Sequence, residues 1–429
     1  MGWVGEGVRR LWVLVPIAAL ALGVGAVVTL DDDPDPTTPS AAADDVSASE
    51  ETAPPEESTR PEANAEVETI AVDQIAGDPR DDGPSALDDM RNPAFPEPLV
   101  DPDEIRSGGP PPDGIPPIDD PMFQPASTVD WLDDVEPVLL LEIGDEARAY
   151  PVQIMTWHEI VNDTFGDVPV TVSYCPLCNS ALVYLRTAGD RVLDFGTSGR
   201  LFNSSLVMYD RQTESLWSHF TGEAVIGVLT GTTLDTLPVT TVSWSTFRDA
   251  HPEGLVLSRD TGFNRNYGTN PYVGYDDVNQ SPFLFDGELD GRLPPQTRVV
   301  AIRGTSESIA VPLDDLTTAG VITTVIDGEP VMLLHTPGTA SALDSATIAD
   351  GRDIGAVGVY RPLADGVAVD LTANGDGTFT DAATTSTFDI LGVGVSGDLS
   401  GARLEPVEHL DTFWFAIAAF EPDTRIISE

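Results

Sequence analysis

The chain contains no lysine: all 21 of its basic residues are arginine, against 71 acidic residues. The net charge of −50 excludes a general nucleic-acid binder, which needs surplus cations to meet phosphates. It argues equally against docking on anionic lipid head groups, so much of the acid serves solubility. Cysteine is nearly as scarce. Both cysteines, Cys175 and Cys178, stand in one stretch, SYCPLCNS (173–180). Two cysteines cannot close a four-cysteine zinc site. Three readings of the pair compete: a structural clip, half of a metal site, and a reactive dithiol. A phosphate-binding glycine loop, an HExxH string and a Ser-His-Asp order are also missing, so hydrolase readings have no support.

Charge is absent altogether from Leu11–Leu30, twenty residues that follow Arg9 and Arg10. That length spans a bilayer, and the arginine pair on its N-terminal side places everything after residue 30 outside the cytoplasm. The expectation is a single-pass anchor in the cell membrane, residues 1–30, with an external body. A cleaved signal peptide, using the small residues Val24–Ala26, is the alternative. No cysteine lies nearby for a lipid anchor. Residues 31–120 hold 26 Asp or Glu, 4 Arg and 17 of the 36 prolines. Such a segment buries too little apolar surface to offset its chain entropy and reads as a disordered acidic linker.

The folded part, 121–429, contains an internal match. At a shift of 170 residues, 217–258 lies on 387–428 without a gap and with nine identities in 42 positions, among them Gly222/Gly392 and Trp244/Trp414. Chance gives about two or three for ordinary composition. At a shift of 161, VLLLEIGDEARAYP (138–151) meets VVAIRGTSESIAVP (299–312), and 168–176 meets 329–337. At 176, 180–195 meets 356–371. Two tandem copies of one unit follow, 138–258 and 299–428, joined by a connector, 259–298. Short runs rich in Val, Leu and Thr, bounded by turn pairs, make each unit mostly strand. One short helix per unit is expected, at SWSTFRDAH and TFWFAIAAF. The predicted fold class is α+β and β-rich, with pseudo-twofold related, mostly antiparallel repeats. Asn374–Gly377 reads as a hairpin turn, because an EF-hand would need a bidentate glutamate that is missing.

The cysteine loop lies between two predicted strands, VPVTVSY and SALVYL, whereas the second copy has a cysteine-free loop fifteen residues longer. Cys-Pro-Leu-Cys is thus a specialisation of one copy, which weakens the clip reading. A disulfide closing so few residues would contribute only about 2 kcal/mol. The following strand and the missing βαβ pattern speak against a thioredoxin fold. A dithiol outside the cytoplasm can still cycle with its disulfide. For a metal, Cu or Zn, the candidate ligands are Cys175, Cys178, His158 and His335. His158 stands in WHEIVND seventeen residues upstream, and His335 aligns with Tyr174 beside the loop.

These residues sit in strings that resemble the DUF3179 family: YPVQIMTWHEIVND, PVTVSYCPLCNSALVY, FGTSGRLFNSSLVMYDRQTESLWSHFTGEAVIG, LPVTTVSWSTFRDAHPEGLVLS, TGFNRNYGTNPYVGY and LDTFWFAIAAFEPDTRI. The resemblance covers about 138–428 and implies a shared fold unit and site, without a reaction. It marks Arg211 and Gln212 as further site candidates and Asp210, matched by Asp381, as structural. Three functions remain: a thiol-redox or soft-metal centre at Cys175 and Cys178, with His158 and Arg211 as candidate catalytic partners; a non-catalytic binding or scaffold domain; or an enzyme whose reaction the sequence does not name. In the scaffold reading the cysteines are clipped and Trp157, Tyr184, Trp217 and Tyr272 line a ligand groove. The sequence names no protein or small-molecule partner.

Overall fold

The computed structural model describes residues 83–428, with Asp81 and the pair 68–69. The expected anchor, 1–30, and the linker up to residue 82, apart from 68–69 and Asp81, lie outside the described residues. Among the described residues, no helix is long and apolar enough to cross a membrane.

The body opens with two antiparallel strands, Pro137–Ile143 and Glu146–Pro151, registered Val138 to Pro151. Residues 137–141 are all buried, so PVLLL runs apolar without alternating, as a strand covered on both faces must. Thr240–Ser243 pairs one edge antiparallel and Leu255–Leu257 the other edge parallel. Helix α1, Val152–His158, leads from this sheet into a second one built from Ile160–Phe165, Val168–Cys175 and Ser180–Leu185. A third sheet follows, Phe195–Phe202, Ser205–Asp210, Leu216–Ser218 and Ala224–Ile226. Its first hairpin turns through Asn203 and Ser204, both at positive φ, as a two-residue hairpin loop requires. Helix α2, Trp244–Ala250, starts at Ser243, whose hydroxyl accepts from the Thr246 N–H.

Residues 298–426 present the same order of pairings. Arg298–Arg303 pairs Ser308–Pro312, registered Val299 to Pro312, with Leu410–Phe413 antiparallel on one edge and Arg425–Ile426 parallel on the other. Helix α3, Leu313–Ala319, then Val321–Ile326, Glu329–Thr336 and Ala356–Ala364, continue the series, which closes on helix α4, Trp414–Phe420. The strands flanking the cysteine loop end and resume at 175 and 180; their counterparts do so at 336 and 356, a difference of fifteen residues. The fold is β-rich and mostly antiparallel, with four α-helices of seven residues among the described ones. α2 and α4 stand where the sequence places them. α1 and α3 are additional: six of the seven residues of α1 are buried, so VQIMTWH has no polar face from which a helical period shows.

The two halves pack on each other reciprocally. The first sheet of the first half, with Val138, Leu140, Val242 and Trp244, shares a core with Met332, Leu334, Tyr360 and Phe388 of the second. Val299, Ala301, Leu410 and Trp414 of the second half share a core with Tyr184, Trp217 and both cysteines of the first. Two similar turns brace the halves. Asp210 accepts from the N–H and hydroxyl of Thr213, and Asp381 from those of Thr384. The Asn374–Gly377 stretch is a hairpin turn, closed by the Asn374 N–H on the Thr378 carbonyl.

The composition of 31–120 reads as a free linker throughout, yet residues 83–120 lie on the body. Ala86 and Ile105 are buried beside Val207 and Ile226, Arg106–Ser107 pairs the edge strand at Arg200 and Leu201, and Arg200 donates to the Leu87 carbonyl. A few apolar anchors and edge hydrogen bonds outweigh the segment's acidic average. Buried charge is also paired. The Arg148 guanidinium, between the rings of Phe123 and Phe165, meets Asp163 at 2.7 Å, and Asp163 accepts from Tyr150 as well.

Candidate functional site

Cys175 is the last residue of its strand and pairs with Ser180, so Pro176–Asn179 forms a four-residue hairpin loop. Asn179 closes it at φ 49°, a left-handed conformation that asparagine tolerates, with its N–H on the Pro176 carbonyl. The second half holds the loop from outside. The Cys178 carbonyl accepts from the Phe413 N–H at 3.1 Å and from the Thr412 hydroxyl at 2.8 Å. Cys175 and Cys178 are 2% and 0% exposed, and both are free thiols, so the clip reading does not describe this state.

Behind the loop runs a buried polar chain. Cys178 Sγ lies 3.0 Å from Ser180 Oγ and 3.5 Å from Ser205 Oγ. Ser180 Oγ is 3.0 Å from His219 Nε2, and His219 Nδ1 is 2.9 Å from Ser173 Oγ. All these residues are at most 1% exposed. Burial holds the His219 imidazole neutral, its pKa brought down to about 3. A neutral imidazole has one N–H and one lone pair, which gives the chain a direction. With Cys178 as thiolate, Ser173 donates to Nδ1, Nε2–H donates to Ser180, and Ser180 donates to sulfur. Burial pushes the Cys178 thiol up, but hydrogen bonds from the Cys175 thiol, Ser180 and Ser205 outweigh it and bring the group below the ordinary thiol value. Cys175 goes the other way, pushed well up by burial and by its bond to Cys178. Of the two thiols, Cys178 is the one favoured to ionise first.

Glu159 borders the same loop. It ends α1 at φ 61°, its carbonyl accepting from the Tyr174 N–H at 2.8 Å, and it is 7% exposed. The position 161 residues on, which ends α3, is Gly320 at φ 73°, its carbonyl accepting from the His335 N–H. Burial, and then the neighbouring Cys175, push the Glu159 carboxyl well above the usual range. Tyr272 of the connector packs against this core, and its phenol is raised by burial and by the charges of Glu159 and Cys175.

The other candidates lie elsewhere. His158 uses both ring nitrogens, Nδ1 with the Pro116 carbonyl at 2.7 Å and Nε2 with the Tyr267 hydroxyl at 2.6 Å. His335 Nε2 faces the Thr317 hydroxyl and the Ile354 carbonyl. Among the described residues no three His, Cys, Asp or Glu converge as metal ligands, so the donor set expected for Cu or Zn does not assemble. Arg211 is paired with Asp119 and Asp113, and Gln212 clamps Asp194 through both its amide atoms, so both brace local structure. Tyr184 and Trp217 are fully buried core residues, so the expected aromatic groove does not form. Sequence reasoning passed over His219, Ser173, Ser180 and Glu159. The overlooked signal was the comparison of the halves, which sets Cys175, Glu159 and His219 against Thr336, Gly320 and Asp389.

Neither the curated proteins nor the solved structures contain a match to this chain. The family model described as "Protein of unknown function (DUF3179)" matches residues 112–424, and the chain belongs to that family.

Proposed function

We propose that the protein is a membrane-tethered domain outside the cytoplasm, anchored through residues 11–30, whose Cys175/Cys178 pair is oxidised to a disulfide by a small hydroperoxide. Its body consists of two copies of one β-rich unit, a reading supported by the recurring order of strand pairings and by the parallel edge strand in each half. Only the first copy carries the sulfurs. The observation that carries the functional reading is the polarised Ser173–His219–Ser180 chain ending on Cys178, whose sulfur it favours as thiolate.

The chemistry balances with the peroxide as sole oxidant. The Cys178 thiolate attacks one peroxide oxygen, the O–O bond breaks, and the other oxygen leaves and takes a proton. Cys175 sulfur then attacks the sulfenic sulfur, the S–O bond breaks, and the departing hydroxide leaves as water with the Cys175 proton. A protein disulfide is the poorer oxidant here, because exchange needs in-line access to a sulfur that is fully buried. That same burial favours the second reading, a scaffold in which both thiols pack as small apolar groups.

Exposing the reduced full-length protein to hydrogen peroxide or to oxidised glutathione, then alkylating after denaturation, separates the two. The expected result is loss of both thiols to peroxide without a glutathione adduct. A sulfenic-acid probe should label the Cys175→Ser variant and leave Cys178→Ser unlabelled. Two thiols that survive peroxide would establish the scaffold.

A further inference from the structure

We infer that a row of buried hydroxyls on one face of the second sheet, Ser173, Thr171 and Thr164, holds internal water and carries protons between the Cys178–His219 polar chain and solvent at Asp194. The inference rests on the reading above of Cys178 as the ionising thiol and adds how its proton leaves. Strand register sets the row out. Ser173 stands opposite Ile160 and Leu182, Thr171 opposite Asn162 and Tyr184, and Thr164 opposite Pro169. Directly opposite residues, and residues two apart along a strand, share a face. Cys175, Ser173 and Thr171 therefore follow one another down the middle strand, with Thr164 diagonal to Thr171 on its neighbour. The other face of the sheet, with Val161, Val170, Val172 and Val183, is apolar.

At the far end of the row three atoms have no hydrogen-bond partner among the described residues: Thr171 Oγ1, Thr164 Oγ1 and Arg186 Nη2. Their residues are at most 3% exposed. Arg186 lies across the middle strand, its N–H donating to the Pro169 carbonyl at 3.1 Å and its Nε to the Asp163 carbonyl, beside Thr164, at 3.3 Å. Its Nη1 meets Asp194 at 2.7 Å, and that side chain is 18% exposed. Buried polar atoms are seldom left unpaired, and several together are where internal water sits. Hydroxyls two residues apart on a strand are about 7 Å apart, too far for a direct bond and close enough for water to bridge.

In the thiol form the polar chain is turned round: Cys178 donates to Ser180, Ser180 to Nε2, and Nδ1–H to Ser173. Ionisation shifts one proton at each link. The sulfur's proton goes to Ser180, the Ser180 proton to Nε2, the Nδ1 proton to Ser173, and the Ser173 proton to water along the row and out at Asp194. The imidazole is neutral before and after, and one proton leaves for each thiolate formed. A proton can take this route without the halves parting.

The test needs no oxidant. The Cys175→Ser full-length protein has a single S–H, whose infrared band reports its exchange to S–D after transfer into heavy water. Adding Thr171→Val is expected to slow that exchange about 100-fold, the ordinary worth of positioned proton transfer, and Thr171→Ser to leave it at the parent rate. Thr164→Val should slow it as well, and decides the question should Thr171→Val not fold. If the hydroxyls only pack, removing an unpartnered one would raise the melting point and leave exchange unchanged. A parent S–H that never exchanges, or valine variants that exchange at the parent rate, overturn the row. Thiols that survive peroxide while exchange still depends on Thr171 sink the peroxide reading and leave the row standing.

Discussion

Asp163→Ala is expected to destabilise the protein by about 3 kcal/mol, the lower end of the cost of breaking a buried ion pair, because Arg148 keeps its bond to Glu146. Arg148 and Asp163 have side chains 4% and 0% exposed, and the guanidinium is enclosed by Phe123 and Phe165. Alanine would leave the buried cation only the partly exposed Glu146 carboxylate and remove the acceptor of the Tyr150 hydroxyl as well. Tyr150→Phe deletes only the donor and should cost about 1 kcal/mol. Guanidinium chloride unfolding of the two variants measures the difference; equal midpoints would mean that water reaches Arg148 and compensates it.

The connector supplies the second large effect. Asp276, with its side chain 0% exposed, accepts from Arg298 at 2.9 Å, Arg352 at 2.8 Å and the Ser341 hydroxyl. Around it, Asn270, Gly274 and Tyr275 donate backbone bonds to Ala346, Asp344 and Leu343, strapping the connector to the long loop of the second half. Asp276→Ala should cost about 3 kcal/mol, at the lower end for such pairs because Arg352 is half exposed. It should also make the connector the first site of limited proteolysis, near the exposed Val273, Val278 and Leu284. Unchanged cleavage kinetics would remove Asp276 as the anchor. The same group sets an acid limit. Burial raises the Asp276 carboxyl, but Arg298, Ser341 and Arg352 outweigh this and hold it below its ordinary value. Its contribution is therefore complete above about pH 4, where a free aspartate is already ionised, and fades as pH falls through the lower folded value. Wild type should lose stability over that acid range more steeply than Asp276→Asn.

How much of this was legible in the sequence depended on whether a signal was local. Strand runs such as PVLLLEI and the Trp244/Trp414 match located elements directly, because burial and period are properties of neighbouring residues. The site was not local. His158 is near the cysteines along the chain but is claimed at both nitrogens by Pro116 and Tyr267, whereas His219 arrives from the turn that follows a strand of a different sheet. Glu159 announces itself only once backbone angles are known, through its shared conformation with Gly320. The ordering of 83–120 escaped for the opposite reason: composition averages over ninety residues what Ala86 and Ile105 decide singly.

The reciprocal packing of the halves decides how anything could ever reach the sulfurs. The hairpin that carries them is plugged by the other half's Phe413 and Thr412. A passage to Cys178 from that side thus has to part the seam where two lobes embrace. Neither lobe, cut free, would keep its inner face dry, so chemistry in one lobe is hostage to the folding of the other.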